Sequence, residues 1–388
     1  MSAATRRSPR NEKSSGSGFA ASDADQHGGR VLVALSGGVD SAVAAALLIE
    51  QGYEVVGAML RQWTDHGPCG PPTSTCRTPE AAVRARRVAE RLDIPFHLID
   101  AEVPFKAHVV DYLIAEYGAG RTPNPCVACN QMIRFGLFLD RARALGADYL
   151  STGHYARVRR AVDGYQLLRG RDRHKDQSYF LHALSQEQLA YVLFPLGDLT
   201  KEEVRGIARR LGLPVAEQPE SQDICFLADG DYRRFLARQA PHLFRPGPIR
   251  DTTGRVLGQH QGLPAYTIGQ RKGLGITAPE PLYVLEIDVA ENVLVVGPAE
   301  ALGQDECVVE EMHTIDGTTP VDPFQAVAQI RYRAQPTPVT VMPLPRARAH
   351  VRFSSPQRDI TPGQFLVLYD GEVVLGGGVI CRTRQPML

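Results

Sequence analysis

From Arg30 onward, short apolar runs alternate with segments in which apolar residues recur every three to four positions. Residues 31–35, 53–60 and 95–100 read as buried strands, with helices over 41–51 and 80–92 between them. A helix over 131–145, a strand over 148–152 and an amphipathic helix over 201–211 continue the alternation. The pattern predicts an α/β fold with a doubly wound parallel sheet, whose ligands bind beyond the carboxyl ends of the strands. Ser36, Leu60, Asp100 and Gly153 are therefore expected to converge.

After about Phe226 the texture changes to one short helix over 232–239, a Gly- and Pro-punctuated stretch over 262–276, and β-type runs. Those runs fall at 282–289, 293–297, 324–330, 339–342, 350–353, 365–369 and 373–381, a spacing that predicts a small barrel or sandwich. No internal repeat is visible. The expected organisation is a disordered tail over 1–29, an α/β domain over 30–226, a small mixed, β-rich central domain over 227–297 and a C-terminal β-barrel over 298–388.

A length of 388 residues fits two or three domains. Lys plus Arg equals Asp plus Glu at 43 each, so any nucleic-acid face must be local rather than a property of the whole molecule. The longest apolar run, 42–49, is far short of the roughly 20 residues of a spanning helix, which argues against membrane insertion. Seven cysteines, an odd number, with no signal peptide in 1–29, point to a reducing compartment and a cytoplasmic location. Glu12, Asp23 and Asp25 in the tail argue against a transit peptide.

The turn after the first strand reads Ala34-Leu35-Ser36-Gly37-Gly38-Val39-Asp40-Ser41. Glycines let backbone approach phosphate oxygens, and amide N–H groups at a helix start point at them with the helix dipole behind. No Lys follows the glycines, so this is not the loop of γ-phosphate hydrolases. A plain strand-to-helix turn also favours Ser, Gly and Asp. The buried strand before it and the apolar helix after it favour a nucleotide loop, of the kind that splits ATP between its α and β phosphates.

Prolines at 123 and 125 bar helix up to Pro125, and a helical pattern begins near Asn130, so Cys129 is expected at a helix N-terminus, where the dipole stabilises a thiolate. Cys225 lies just after the α/β half. Buried inert cysteines, a structural zinc site and a redox pair compete with a catalytic reading of Cys126, Cys129 and Cys225; zinc would want a second paired motif. Cys69 and Cys76 read as part of a surface loop, Cys307 and Cys381 as core residues.

Six motifs occur in order: Ser36-Gly-Gly-Val-Asp-Ser41, Thr122-Pro-Asn-Pro125 leading to Cys129-Asn, Thr152-Gly-His-Tyr155, Lys175-Asp-Gln-Ser-Tyr-Phe180, Asp223-Ile-Cys-Phe226 and Gly269-Gln-Arg-Lys-Gly-Leu-Gly275. Over roughly 30–384 the chain resembles the bacterial tRNA-specific 2-thiouridylases. The resemblance implies a pyrophosphatase-type ATP fold and an enzyme that replaces the C2 oxygen of the wobble uridine of tRNAs for Lys, Glu and Gln with sulfur. The oxygen is first adenylated by ATP, and a cysteine desulfurase or relay protein supplies the sulfur as a persulfide.

Carried onto this sequence, Ala34 to Ser41 would hold the triphosphate, Asp40 would help place Mg²⁺, and Leu60 and Gly153 would border the adenosine. Leu60 stands where the family often has Met. Cys129 matches the nucleophile, Cys225 the persulfide carrier, and Asn124, Pro125 and Cys126 the residues at the target base. His154, Lys175, Asp176, Gln177, Arg331, Tyr332 and Gln364 match tRNA contacts near the anticodon. Many members have Asp in place of Cys126, so an Asp base is lacking here. Related thiolases with three converging cysteines can instead bind a 4Fe-4S cluster, which Cys126, Cys129 and Cys225 could ligate.

Two basic stretches agree with a polyanion partner and equally with an ordinary solvated face. Residues 157–175 hold seven cations against two acids, and the chain from Arg331 holds eight arginines against three acids. No membrane or DNA partner is expected. Rival functions are another adenylating enzyme, such as a GMP or argininosuccinate synthetase, and a non-catalytic RNA-binding or iron–sulfur module.

Overall fold

The computed structural model describes residues 28–65, 79–219, 224–227 and 229–382. The segment read as a tail lies outside these but for residues 28 and 29, and so do Cys69, Cys76 and Asp223.

The first sheet holds β1 (Arg30–Ala34), β2 (Glu54–Arg61), β3 (Phe96–Asp100), β4 (Tyr149–Ser151) and β7 (Val192–Leu193), all parallel, in the order β3-β2-β1-β4-β7. Alternation along β1 assigns its side chains to two cores. Val31 and Val33 pack with the Ala-rich helix α1 (Val39–Glu50) and with α2 (Pro79–Leu92), while Leu32 packs on the other face with Phe135, Phe138 and Leu139. All three are fully buried, worth about 1.5–3 kcal/mol for each side chain. The chain runs outward from β1 to β3 and returns on the other side at β4. The crevice for a ligand in such a sheet therefore opens between β1 and β4, beside the Gly-rich turn.

Two elements not expected from the sequence join this half to the rest. Strands β5 (Ala156–Ala161) and β6 (Gly164–Arg169) form a hairpin whose inner strand pairs with β17 (Val373–Arg382). Its alternating arginines looked like a charge run, yet the opposite face supplies Ala156 and Leu167 to the core. The central segment forms a mixed sheet in the order β10-β11-β8-β9, from β8 (Gly247–Asp251), β9 (Val256–His260), β10 (Tyr283–Asp288) and β11 (Val293–Gly297). Gly247, Pro248 and Gly258 hid its first two strands from the sequence pattern.

The C-terminal segment is a barrel rather than a sandwich. Strands β12 (Gln304–Thr314), β15 (Arg348–Gln357), β14 (Thr337–Leu344), β13 (Phe324–Gln329), β16 (Phe365–Asp370) and β17 follow one another, and a β12–β17 pairing closes the ring. Val309, Val341, Val351, Leu366, Leu368 and Ile380 fill the interior. Cys307 joins them, and burial pushes its thiol pKa up, in keeping with an inert core residue. Cys381, by contrast, is only half-buried, its Sγ 3.4 Å from the Val308 carbonyl.

Candidate active site

After β1 the chain turns through Ser36, Gly37 and Gly38 into α1. Gly37 has φ of +75°, and a Cβ there would stand 2.6 Å from the Ala81 carbonyl oxygen, so only glycine fits. Ser41 pins the turn from inside: its Oγ accepts from Ser36 N at 3.1 Å and donates to the Gly38 carbonyl at 3.1 Å. Gly153, just beyond β4, packs directly on the start of α1, where a Cβ would lie 2.8 Å from the Asp40 carbonyl carbon and 2.9 Å from Ser41 N. Of the four positions expected to converge, Ser36 and Gly153 thus flank one helix start, while Leu60 and Asp100 end the neighbouring parallel strands β2 and β3.

The cation that the turn lacks comes from elsewhere. Lys201 Nζ lies 2.7 and 2.8 Å from the two carboxylate oxygens of Asp40, and Tyr155 Oη donates to the same carboxylate at 2.8 Å. The Lys201 side chain is only 12% exposed, against 33% for Asp40. Lys201 is the first residue of the helix Lys201–Arg210, which a Thr200–Glu203 capping box starts. A helix dipole disfavours a cation at that position, so the Lys is explained by its partner across the site rather than by its own helix. Sequence reading missed Lys201 and Tyr155; the one available signal was this cation at a capped helix start.

The cysteine segment differs from its expectation. The helix begins at Pro125, capped by Asn124 Oδ1, which accepts from Cys126 N at 3.2 Å. Pro at the first helical position loses no bond, because its missing N–H would have been unpaired there. Pro125–Ala128, Cys129–Leu137 and Phe138–Ala144 then run on as one helix, the middle part in π register. Exposed Cys126, not Cys129, therefore occupies the first turn, and the dipole argument applies to it instead. Cys129 is a turn further in, buried among Val109, Ile133, Phe226 and Phe235.

Cys225 reaches the same place because its neighbour anchors it. The Phe226 ring packs edge-on against Phe105 at 5.7 Å, Phe235 at 5.6 Å and Trp63 at 6.4 Å. Cys126, Cys129 and Cys225 line one cavity of about 30 Å³, with Arg134, Phe105 and Ile224 among its other walls.

Arg134 is a third residue that sequence reading missed. The i→i+5 register of the π segment sets it over Cys129, a geometry an α-helix would not give. Arg134 Nη1 donates to Asn130 Oδ1 at 3.1 Å and to His154 Nε2 at 3.2 Å. His154 Nδ1 in turn lies 2.6 Å from Thr152 Oγ1. Since a guanidinium only donates, His154 is neutral with its proton on Nδ1. Burial first, and Arg134 second, push its pKa well below the ordinary histidine value.

The residues expected at tRNA fall into two groups. Buried His154 and Asp176 are engaged internally; the Asp176 carboxylate takes Gly170 N, Ser178 N and Oγ, and Arg169 Nη1. Gln177 Oε1 accepts from Tyr155 N at 3.0 Å. Gln364 Nε2 donates to the Thr122 carbonyl at 2.8 Å and so ties the barrel to the turn before Asn124. Lys175 is half-buried, whereas Arg331 is exposed. The Tyr332 ring lies 4.4 Å from that of Phe180, whose carbonyl accepts from Asn130.

Four arginines of the basic run over 157–175 are ion-paired within the protein. Arg157 pairs with Glu372 and Asp198, Arg169 with Asp176, Arg171 with Glu203 and Arg173 with Glu372. These pairs tie hairpin, barrel and sheet together, while Arg159, Arg160, Arg171 and Arg173 remain exposed.

Among the described residues no helix is long and apolar enough to cross a membrane, and no group of three or more His, Cys, Asp or Glu is arranged to hold a metal ion.

Three family models cover most of the chain: the tRNA methyl transferase HUP domain over 29–229, the tRNA methyl transferase PRC-barrel domain over 233–298 and the aminomethyltransferase beta-barrel domain over 304–380. The tRNA-specific 2-thiouridylase MnmA of Magnetococcus marinus is 51% identical over 352 residues, 90% of this chain and 98% of its own. The chain belongs to the tRNA-specific 2-thiouridylase family. Members from Chloroflexus aggregans and Moorella thermoacetica are each 50% identical over 91% of this chain, covering 99% and 100% of their own. The family models carry methyl-transfer names, whereas these relatives are named for thiolation. Among solved structures, the U34-tRNA thiolase NcsA of Methanococcus maripaludis with its 4Fe-4S cluster is 20% identical, covering 55% of this chain and 65% of its own at a TM-score of 0.32. A likeness that low carries no argument about a cluster here.

Proposed function

We propose that the protein is a tRNA-uridine 2-sulfurtransferase that uses ATP to replace the C2 oxygen of the wobble uridine in tRNAs for Lys, Glu and Gln. One observation carries the reading: three cysteines from two distant segments line a single small cavity in the domain that bears the Gly-rich turn.

The turn from Ala34 to Ser41 receives the triphosphate on its amides, with Leu60 and Gly153 beside the adenosine. Asp40 offers the single carboxylate that suffices for Mg²⁺ held mainly by phosphates, and Lys201 beside it supplies a fixed positive charge for the departing pyrophosphate. The uracil C2 oxygen attacks the α phosphorus, the α–β bond breaks and pyrophosphate leaves. The terminal sulfur of a Cys225 persulfide then attacks C2, and AMP leaves with the former oxygen. Cys129 thiolate attacks Cys225 Sγ, the S–S bond of the persulfide breaks, and the sulfur stays on the base as a Cys129–Cys225 disulfide closes. A dithiol reductant resets the pair. A desulfurase or relay protein reloads Cys225.

Asn124, Pro125 and Cys126 stand at the base, which a single-stranded anticodon loop can extrude at low cost. Arg331, Tyr332 and Lys175 serve as RNA contacts; His154, Asp176, Gln177 and Gln364 support them from inside. A 4Fe-4S cluster is the second arrangement that three cysteines permit. Among the described residues no group of three or more His, Cys, Asp or Glu is arranged to hold a metal ion, so the cysteines as placed do not fit it.

The test is nucleoside mass spectrometry of tRNA from cells carrying Cys129→Ala or Cys225→Ala. Loss of 2-thiouridine in both, with the fold intact, is expected; ordinary levels in either would overturn the assignment.

A further inference from the structure

The Gly269-Gln-Arg-Lys-Gly-Leu-Gly275 segment has no place in the chemistry above, yet it is built with care. Gly269, Gly273 and Gly275 adopt φ of +83°, +78° and +68°, values that other residues rarely take. Gln270 fastens the loop from within: its Oε1 accepts from Thr267 N at 3.2 Å and its Nε2 donates to the Lys272 carbonyl at 3.0 Å. Gly269 N and the Gln270 carbonyl pair with Val284, and Leu274 is buried in the central core.

This fixed loop displays Arg271 and Lys272 side by side, both exposed, and among the described residues neither side chain has an ion-pair partner. Holding two like charges together in a rigid loop gains nothing within the protein. Arg157, Arg169, Arg171 and Arg173, by contrast, each have a carboxylate partner.

Its location indicates the ligand. Thr267 Oγ1 lies 3.3 Å from Thr122 Oγ1, at the head of the turn that carries Asn124 to Cys126. On its other side a Cβ at Gly269 would strike the Asp359 carboxylate, which pairs with exposed Arg331 at 3.5 Å. Arg358, also exposed, sits on the Tyr283 ring. The loop thus extends a cationic margin along the mouth of the proposed base site.

We infer that Arg271 and Lys272 grip the phosphate backbone of the RNA substrate next to the extruded uridine. This rests on the proposed RNA substrate and adds a contact in the central domain. Each cation that neutralises a phosphate releases counterions, so its loss lowers the steepness of the salt dependence of binding.

The experiment measures anisotropy of fluorescein-labelled tRNA with the full chain between about 50 and 200 mM salt. Arg271→Gln and Lys272→Gln are each expected to lower the log–log slope by about 0.7–0.9, and the double variant by about twice that. Arg210→Gln, an exposed cation at the opposite end of its helix from Lys201, serves as the control and leaves the slope unchanged. Thermal midpoints stay at the wild-type value, as for surface substitutions generally. An unchanged slope in the double variant overturns the inference, whatever happens to ATP affinity. If the unmodified protein fails to bind tRNA at all, it is the substrate reading that falls instead.

Discussion

Lys201 closes on both carboxylate oxygens of Asp40, at 2.7 and 2.8 Å, although the two residues come from helices far apart in the chain. The Gly-rich turn carries no lysine of its own, so in the proposed reaction this pair would supply the positive charge that pyrophosphate departure calls for. Lys201→Met is expected to lower tRNA-dependent pyrophosphate release by about 10²–10³-fold, the range for removing one fixed transition-state partner. Release at the unmodified rate would show that Lys201 only neutralises Asp40.

Gly153 leaves no room for a side chain, because its Cα faces the peptide joining Asp40 to Ser41. Gly153→Ala should push the first turn of α1 out of place and weaken ATP binding at least tenfold by calorimetry. Unaltered affinity would mean that the β4 edge yields more readily than backbone contact at 2.8 Å suggests.

Arg134 belongs to the sulfur cavity rather than to the ATP loop, so its removal should separate the two half-reactions. In Arg134→Met, pyrophosphate release is expected to persist while 2-thiouridine formation drops about 10²-fold. Arg134→Lys should recover part of it. Parallel losses of both products would assign Arg134 to general support of the domain.

Cys126→Asp should retain thiolation, since Cys126 is exposed and carries no sulfur in the proposed sequence of steps. A carboxylate in the first turn, next to the Asn124 cap, should also stabilise the helix by about 0.3–1 kcal/mol. Activity that disappears in Cys126→Asp while iron loading does so too would favour a cluster.

His182 supplies a pH dependence of folding. Its Nδ1 lies 2.8 Å from the Tyr179 carbonyl, its Nε2 is buried without a partner, and burial, then His313, push its pKa down to about 3. The folded value lies below the unfolded one near 6.5, so the unfolded chain binds the extra proton. Stability contributed by neutral His182 is complete above about pH 6.5 and falls between there and pH 3; by pH 5 the loss is about 2 kcal/mol. Denaturant midpoints of His182→Gln should fall less steeply over that interval; equal slopes would refute this.

How much was legible beforehand follows from the range of the interactions. Most strands and helices read in the α/β half fall within a residue or two of their observed positions, because alternation and three-to-four spacing report burial locally, whereas the helix expected over 131–145 begins at Pro125 and the helical stretch over 102–118 was not read. The hairpin over β5 and β6 was missed because its arginines find their carboxylates in other segments, among them Glu372. Cys129 was misplaced because proline at the first helical turn permits what proline inside a helix forbids.

By itself the sequence determined the alternating strands and helices of the α/β half, the Gly-rich turn and the six motifs that place the chain in its family, since motif spacing and side-chain period are properties of neighbouring residues. Only the tertiary structure decided that Lys201 serves Asp40, that Phe226 sets Cys225 beside Cys129, that a π turn lays Arg134 over them, and which arginines remain for a partner. Each of these is a contact between segments distant in the chain, fixed by packing and charge pairing that local pattern does not encode.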